Sequence, residues 1–340
     1  MNKYLEELKE VINEGKGYID SYVSKYVQSE VINHYGELLF LTKSGSYLYG
    51  TNSEKSDRDY VGVYMMPLDK RLGLYTKHDT INLSIENKDN KNKNTKYAVD
   101  IKIYEIEKFV KLLVENNPNM LEILFAETNS DAVLYNNFKF KAIQANYLLF
   151  LSSKARNKFY GFANNVYNKA LNVIKNTDRL FEFTKLLTNF IEKYPEFKDK
   201  PLFYALHYPE FKHYTANNGV LFISWYKFNT KTPINTILKE NKSIINDEIN
   251  SKYIKNLYHA LRITDEGIQL LKYHHIKFPL KDRKLYANIK NGKVNNVDLY
   301  MYIGERLNIL KSVKTTLPNK PYIEEINSLY KKIITYKEDD

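Results

Sequence analysis

Gly45-Ser-Tyr-Leu-Tyr-Gly50, followed by Ser56-Asp-Arg-Asp-Tyr-Val-Gly62, is the stretch on which the reading of this chain turns. Before it, Glu37-Leu-Leu-Phe-Leu-Thr42 has the apolar, strand-compatible character of a buried strand. That strand delivers the chain to a tight Gly-Ser turn at the start of a short helical piece. Gly45 lets the backbone approach a ligand closely. Backbone N–H groups at a helix start, joined by the Ser46 hydroxyl, form a natural cradle for phosphate. After the polar loop Thr51–Ser56, Arg58–Met65 reads as a second strand, ended by Pro67. Asp57 and Asp59 are two residues apart, so in an extended chain both point to one face. Two carboxylates held side by side repel unless a cation sits between them. Hard oxygen ligands suit Mg²⁺, which typically takes one or two carboxylates together with substrate phosphates.

Outward from this centre, Thr80–Glu86 and Tyr97–Ile103 read as further strands, with the polar tract Asn87–Thr95 as a loop between them. The second of these carries Asp100. If it neighbours the Asp59 strand, Asp100 completes a triad, and three carboxylates can hold two metals across a phosphoryl transfer. Glu105–Asn116 reads as an amphipathic helix broken by Asn117-Pro118, and Asn119–Phe125 begins a further short helix or strand. Residues 1–35 read as one or two helices. Beyond about residue 140 strands are hard to find, and helices separated by Pro, Gly and Asn signals dominate. Trp225, in the apolar run Val220–Trp225, reads as core. The expected fold class is α+β, a mixed sheet with helices followed by a mainly helical C-terminal domain. The expected division is a catalytic domain at 1–140 and a helical substrate- or nucleotide-binding domain at 141–340.

Composition bounds the chemistry. The 340 residues are 43% hydrophobic and 27% charged, as in a globular protein. With no cysteine, a disulfide framework, a thiolate zinc site and a cysteine nucleophile are all excluded. The longest apolar stretches are too short to span a bilayer, and the start, MNKYLEELKEVINEG, lacks the apolar core of a secretory signal. A cytoplasmic protein with no membrane partner is the expectation. The formal net charge of +11 favours polyanionic partners such as nucleic acid or nucleotides.

Gly45-Ser46, then Ser56-Asp-Arg-Asp59, resemble the signature of the DNA polymerase beta superfamily of nucleotidyltransferases. The resemblance extends to the predicted nucleotidyltransferases linked to RNA repair. It continues through Tyr49-Gly50, Val63, Pro67, Asp100-Ile-Lys-Ile-Tyr104 and Asn117-Pro-Asn-Met-Leu-Glu-Ile-Leu124. Weaker patches follow at Lys154–Ala163, Lys255–Arg262 and Asp282–Gly292. Phe162 stands where tyrosine is usual and Asn165 near a usual glutamine. The resemblance implies an N-terminal polymerase-beta-like fold, with Asp57 and Asp59 binding two Mg²⁺ (or Mn²⁺) ions. It implies that Asp100 binds the catalytic ion and activates an acceptor hydroxyl. Gly45 and Ser46 would hold the β- and γ-phosphates of an NTP such as ATP.

Lys255, His259 and Arg262 are four and three apart, so one helix face carries all three. Such a face meets either a triphosphate or solvent, and the resemblance tips the reading towards the nucleotide. Lys154, Arg156 and Lys158 form a weaker case of the same kind, and Glu122 reads as a cap or an ion-pair partner. The expected activity is transfer of NMP from an NTP to an acceptor hydroxyl, with an RNA or tRNA end as the favoured acceptor. Nucleotidylation of a protein or small molecule, and a binding module without activity, are the alternatives.

Overall fold

A computed structural model describes residues 2–15, 18–54, 56–74, 78–88, 95, 97–247 and 252–336. The middle of the polar tract, residues 89–94, lies outside the described residues. Two compact units emerge from the path of the chain. The first comprises Met1–Gly161, Ile263–Ala287 and Asn308–Asp340; the second comprises Phe162–Arg262 and Asn288–Leu307.

The first unit opens with helices α1 (Lys3–Glu14) and α2 (Ile19–His34). The Asn2 side chain caps α1 by accepting from the Tyr4 N–H, and Gly15, with φ +66°, closes it. There follow β1 (Glu37–Lys43), α3 (Gly45–Tyr49), β2 (Arg58–Met65), α4 (Leu68–Leu72), β3 (Thr80–Asn82) and β4 (Val99–Glu105). Then come α5 (Ile106–Val114), α6 (Pro118–Phe125), β5 (Val133–Asn136) and α7 (Phe138–Ala145). The five strands form one mixed sheet in the order β3-β4-β2-β1-β5. Only β2 and β4 pair in parallel; the other three pairings are antiparallel.

Periodicity explains which face meets which helix. Along β4, Val99, Ile101 and Ile103 are buried while Asp100 and Lys102 are exposed. The apolar set packs with Leu8, Val23 and Val27 of the first two helices, so α1 and α2 cover that face of the sheet. Towards the other face, Phe40 of β1 stacks on Phe140 of α7 at 4.3 Å between ring centres, and Phe109 of α5 joins them. Each fully buried side chain of this size contributes about 1.5–3 kcal/mol. At the α5–α6 corner, Asn116 adopts φ +53° and is fully buried. Its amide donates to the Leu113 and Phe150 carbonyls and accepts from the Ser152 N–H and hydroxyl, so the buried amide is satisfied. Asn117 caps α6 with Pro118 in its first turn, which makes Asn119–Phe125 helical.

The rest of the chain is mainly helical: α8 (Ala155–Lys193), α9 (Leu202–Ala205), α10 (Ile234–Asp247), α11 (Ile254–Tyr273), α12 (Arg283–Lys290), α13 (Asn296–Ser312) and α14 (Ile323–Thr335). The fold is thus α+β, as expected. In the second unit a two-stranded hairpin, β6 (Val220–Ile223) and β7 (Tyr226–Asn229), interrupts the helices. It turns Leu221, Ile223, Tyr226 and Phe228 inward against Phe183 and Ile237. Trp225 is therefore not core: it sits in the hairpin turn, 49% exposed. The apolar run is a strand rather than a buried stretch, and the turn carries its last residue past the point where alternation could turn it inward. Among the described residues, no helix is long and apolar enough to cross a membrane.

Candidate functional site

Asp59 on β2 and Asp100 on β4 are register partners in the parallel pairing. Neighbouring strands lie about 4.8 Å apart, and both residues have the parity that faces away from α1 and α2. Both line a cleft of about 450 Å³ that also includes Gly45, Tyr49, Lys102 and Glu122. Asp59 is half-buried and Asp100 exposed. Asp57, the last residue before β2, is exposed and is not among the lining residues; Ser46, half-buried one residue beyond Gly45, is not among them either.

Local chemistry fixes these positions. Asp20 of α2 gathers the ends of β1 and β2. It pairs with Lys43 at 3.1 Å and Arg58 at 3.3 Å, and accepts a hydrogen bond from the Tyr60 hydroxyl at 2.6 Å. Burial, followed by the Asp20 charge, pushes the Tyr60 phenol far above its usual range, so it remains a donor. Arg58 also lies over the Tyr47 ring. The arginine of the Ser-Asp-Arg-Asp motif is thus an anchor that aims its neighbouring aspartates. The Ser44 N–H donates to the Asp59 carbonyl at 2.8 Å, which ties the turn to β2. Gly45 has φ +59°, and a β-carbon there would lie 3.2 Å from Asp59 Oδ2. Glycine meets both needs at once: a left-handed backbone and room beside the carboxylate.

The far end of α3 is held equally firmly. The Tyr49 hydroxyl donates to Glu122 Oε2 at 2.5 Å, and both side chains are buried. Glu122 thus accepts a hydrogen bond from a tyrosine at the wall of the cleft. The Tyr49 carbonyl accepts from the Leu280 N–H, and the Tyr49 ring meets Phe278. A β-carbon on Gly50 would lie 2.7 Å from Pro279 and 2.9 Å from Arg283 Cδ. The late basic stretch thus returns to the Tyr49-Gly50 turn.

On the other side of Asp100 lies a polar shelf that the sequence reading had not singled out. Asn82 of β3 is the register partner of Lys102, and Thr80 that of Tyr104. The Ile85–Val99 bridge continues the same register, which brings Ser84 opposite Asp100. Asn82, Ser84, Lys102 and Tyr104 all line the cleft, with Lys102 Nζ 5.2 Å from the centre of the Tyr104 ring. The signal was present in the sequence as the period-two spacing of Asp100, Lys102 and Tyr104.

Among the described residues, no group of three or more His, Asp or Glu side chains is arranged to hold a metal ion. Asp59 and Asp100 supply two hard carboxylates side by side. That donor set fits an ion such as Mg²⁺, which completes its shell with water and substrate phosphates.

In the second unit, Lys255, His259 and Arg262 share α11, exposed, half-buried and buried in turn. Lys290, from the late basic stretch, lies over the Tyr258 ring. Burial, then Arg262, Lys255 and Lys290, lower the His259 imidazole to about 4. At neutral pH it is an uncharged group near three cations. The weaker Lys154–Lys158 cluster is committed elsewhere in part: the Arg156 guanidinium donates to the Val313 carbonyl, and Lys158 pairs with Glu115.

A family model described as the RNA repair pathway DNA polymerase beta family (RlaP) matches residues 17–338. No curated protein matches the chain.

Proposed function

The chain belongs to the RNA repair pathway DNA polymerase beta family, and from that premise we propose a specific reaction. It transfers a nucleoside monophosphate from an NTP to a hydroxyl at the end of an RNA strand and releases pyrophosphate. The observation that carries this reading is the register pairing of Asp59 with Asp100 in a cleft bounded by Gly45.

In this reading Gly45 and Ser46 hold the β- and γ-phosphates of the NTP. Asp57 and Asp59 would hold two Mg²⁺ or Mn²⁺ ions, with Asp100 on the catalytic one. When bound, that ion neutralises phosphate charge and makes the acceptor hydroxyl more acidic. The Asp100 carboxylate accepts the hydroxyl proton. The acceptor oxygen bonds to the α-phosphorus, the bond from that phosphorus to the bridging oxygen breaks, and pyrophosphate leaves with the electron pair. Little covalent help is needed, because such transfers depend on positioning and charge neutralisation. Lys255, His259 and Arg262 are proposed to meet a nucleotide or a nucleic-acid backbone. The catalytic domain is proposed to centre on residues 1–140, and residues 141–340 to bind nucleotide or substrate.

The test is incubation with each labelled NTP, Mg²⁺ or Mn²⁺ and RNA, beside the Asp59→Asn/Asp100→Asn double variant. Label on RNA with the intact protein alone supports the reading and identifies the base. Label on a protein or small molecule instead replaces the acceptor. No pyrophosphate release with any acceptor overturns the reaction.

A further inference from the structure

We propose that the β3 side of the cleft is the acceptor subsite: Lys102 binds the phosphodiester next to the terminal nucleotide of an RNA strand, and Tyr104 takes its base. This rests on the nucleotidyl-transfer reading above and names the residues that choose its acceptor.

The sheet order supplies the first argument. With strands ordered β3-β4-β2-β1, the Gly45 turn that follows β1 lies on one side of the Asp59–Asp100 pair. Asn82 and Ser84 lie across β4 on the other, with Lys102 and Tyr104 further along β4 from Asp100. An NTP whose phosphates occupy the Gly45 side leaves its α-phosphorus at the aspartates. The attacking hydroxyl then has to arrive from the side of β3.

Charge supplies the second argument. The described lining residues include three carboxylates, Asp59, Asp100 and Glu122, and one cation, Lys102. An NTP carries its own divalent counter-ion into such a site. A nucleic-acid strand brings only a loose atmosphere of counter-ions, which a protein cation displaces and so gains affinity. Lys102 is exposed on the cleft face and makes no ion pair among the described residues. Its ammonium therefore stays available to a ligand.

Side-chain chemistry supplies the third argument. Lys102 and Tyr104 are two residues apart on one strand face, so phosphate and base contacts fall in series along β4. Aromatic stacking is worth about 1–3 kcal/mol per base and tolerates any base. Asn82 and Ser84 add an amide and a hydroxyl at the end nearest Asp100, suited to ribose hydroxyls. A protein side chain as acceptor would use neither the phosphate contact nor the stack.

The test uses the full chain with Lys102→Ala, Lys102→Arg and Tyr104→Leu. Anisotropy of a labelled RNA oligonucleotide reads binding without turnover, and steady-state transfer reads KM for RNA and for NTP separately. Lys102→Ala is expected to weaken RNA binding and raise the RNA KM by about tenfold or more. It should flatten the salt dependence by about one unit of slope and leave the NTP KM within twofold. Lys102→Arg should restore most of the loss, and Tyr104→Leu should weaken binding without changing the salt slope. Unchanged RNA binding in Lys102→Ala, or a raised NTP KM with unchanged RNA KM, overturns the subsite. Preferential transfer to a protein overturns RNA as its occupant. If the intact chain transfers nothing yet Lys102→Ala still weakens RNA binding, the chemistry fails and the RNA site stands.

Discussion

Asp59 and Asp100 stand directly opposite each other on the one parallel strand pair of the sheet. The backbone hydrogen-bond ladder of β2 and β4 sets them in that register. Replacing either by asparagine keeps the shape and removes a charge. Asp59→Asn and Asp100→Asn are each expected to lower transfer by about a thousandfold or more, near 4 kcal/mol at the transition state. Melting temperature should be unchanged or slightly higher, because mutual repulsion is relieved. Asp57→Ala should also abolish transfer; near-normal turnover would remove Asp57 from the metal site.

Gly45→Ala places a side chain at φ +59° with its β-carbon 3.2 Å from the Asp59 carboxylate. The backbone strain costs on the order of 1 kcal/mol. The carboxylate must also shift. The expected result is a melting temperature lower by a few degrees and a fall in kcat of at least tenfold, measured by thermal melting and steady-state kinetics. Wild-type kcat in a correctly folded variant would show that Asp59 tolerates displacement.

Asp20→Ala removes the acceptor that Tyr60, Lys43 and Arg58 share. The Tyr60 hydroxyl is left without that partner in a buried setting, and two cations are left side by side. A loss of about 1–3 kcal/mol is expected from urea unfolding. Asp20→Asn, which keeps an acceptor for Tyr60, should lose less. Equal losses in the two variants would assign the effect to charge alone.

His259 links pH to stability. Its folded value, about 4, lies below the ordinary 6.5. Between those values the unfolded chain holds the proton and the folded chain does not. Stability is therefore full above about pH 7, falls as pH drops towards 4, and levels below that, by up to about 3 kcal/mol. Urea unfolding at pH 7 and pH 5 should show the drop in the intact chain and not in His259→Gln. Tripolyphosphate or NTP bound at this cluster should move the imidazole value upward, readable by NMR titration. Lys255→Ala should move it upward too and weaken nucleotide binding. If neither ligand moves the His259 titration, the cluster does not bind the nucleotide.

Much of the site was legible in one dimension because strand and turn chemistry are local. Glu37–Thr42 and Arg58–Met65 declare themselves by apolar runs and a closing proline, and they form β1 and β2. The Gly-Ser turn and the two-residue spacing of Asp57 and Asp59 follow from backbone geometry alone. What pairs with what is not local. That β4 lies beside β2, in the register that sets Asp100 against Asp59, depends on which apolar faces bury together beneath α1 and α2. The β3–β4 pairing likewise sets Asn82 beside Lys102 and Thr80 beside Tyr104, which the period-two spacing along β4 alone does not reveal. The return of Phe278–Arg283 to Gly50 joins residues more than two hundred positions apart and leaves no local trace. Trp225 shows the converse: an apolar run suggests burial, but a hairpin turn can carry its last residue into solvent. Sequence singled out the residues proposed to carry the chemistry; only the burial of non-local surfaces decided which of them meet.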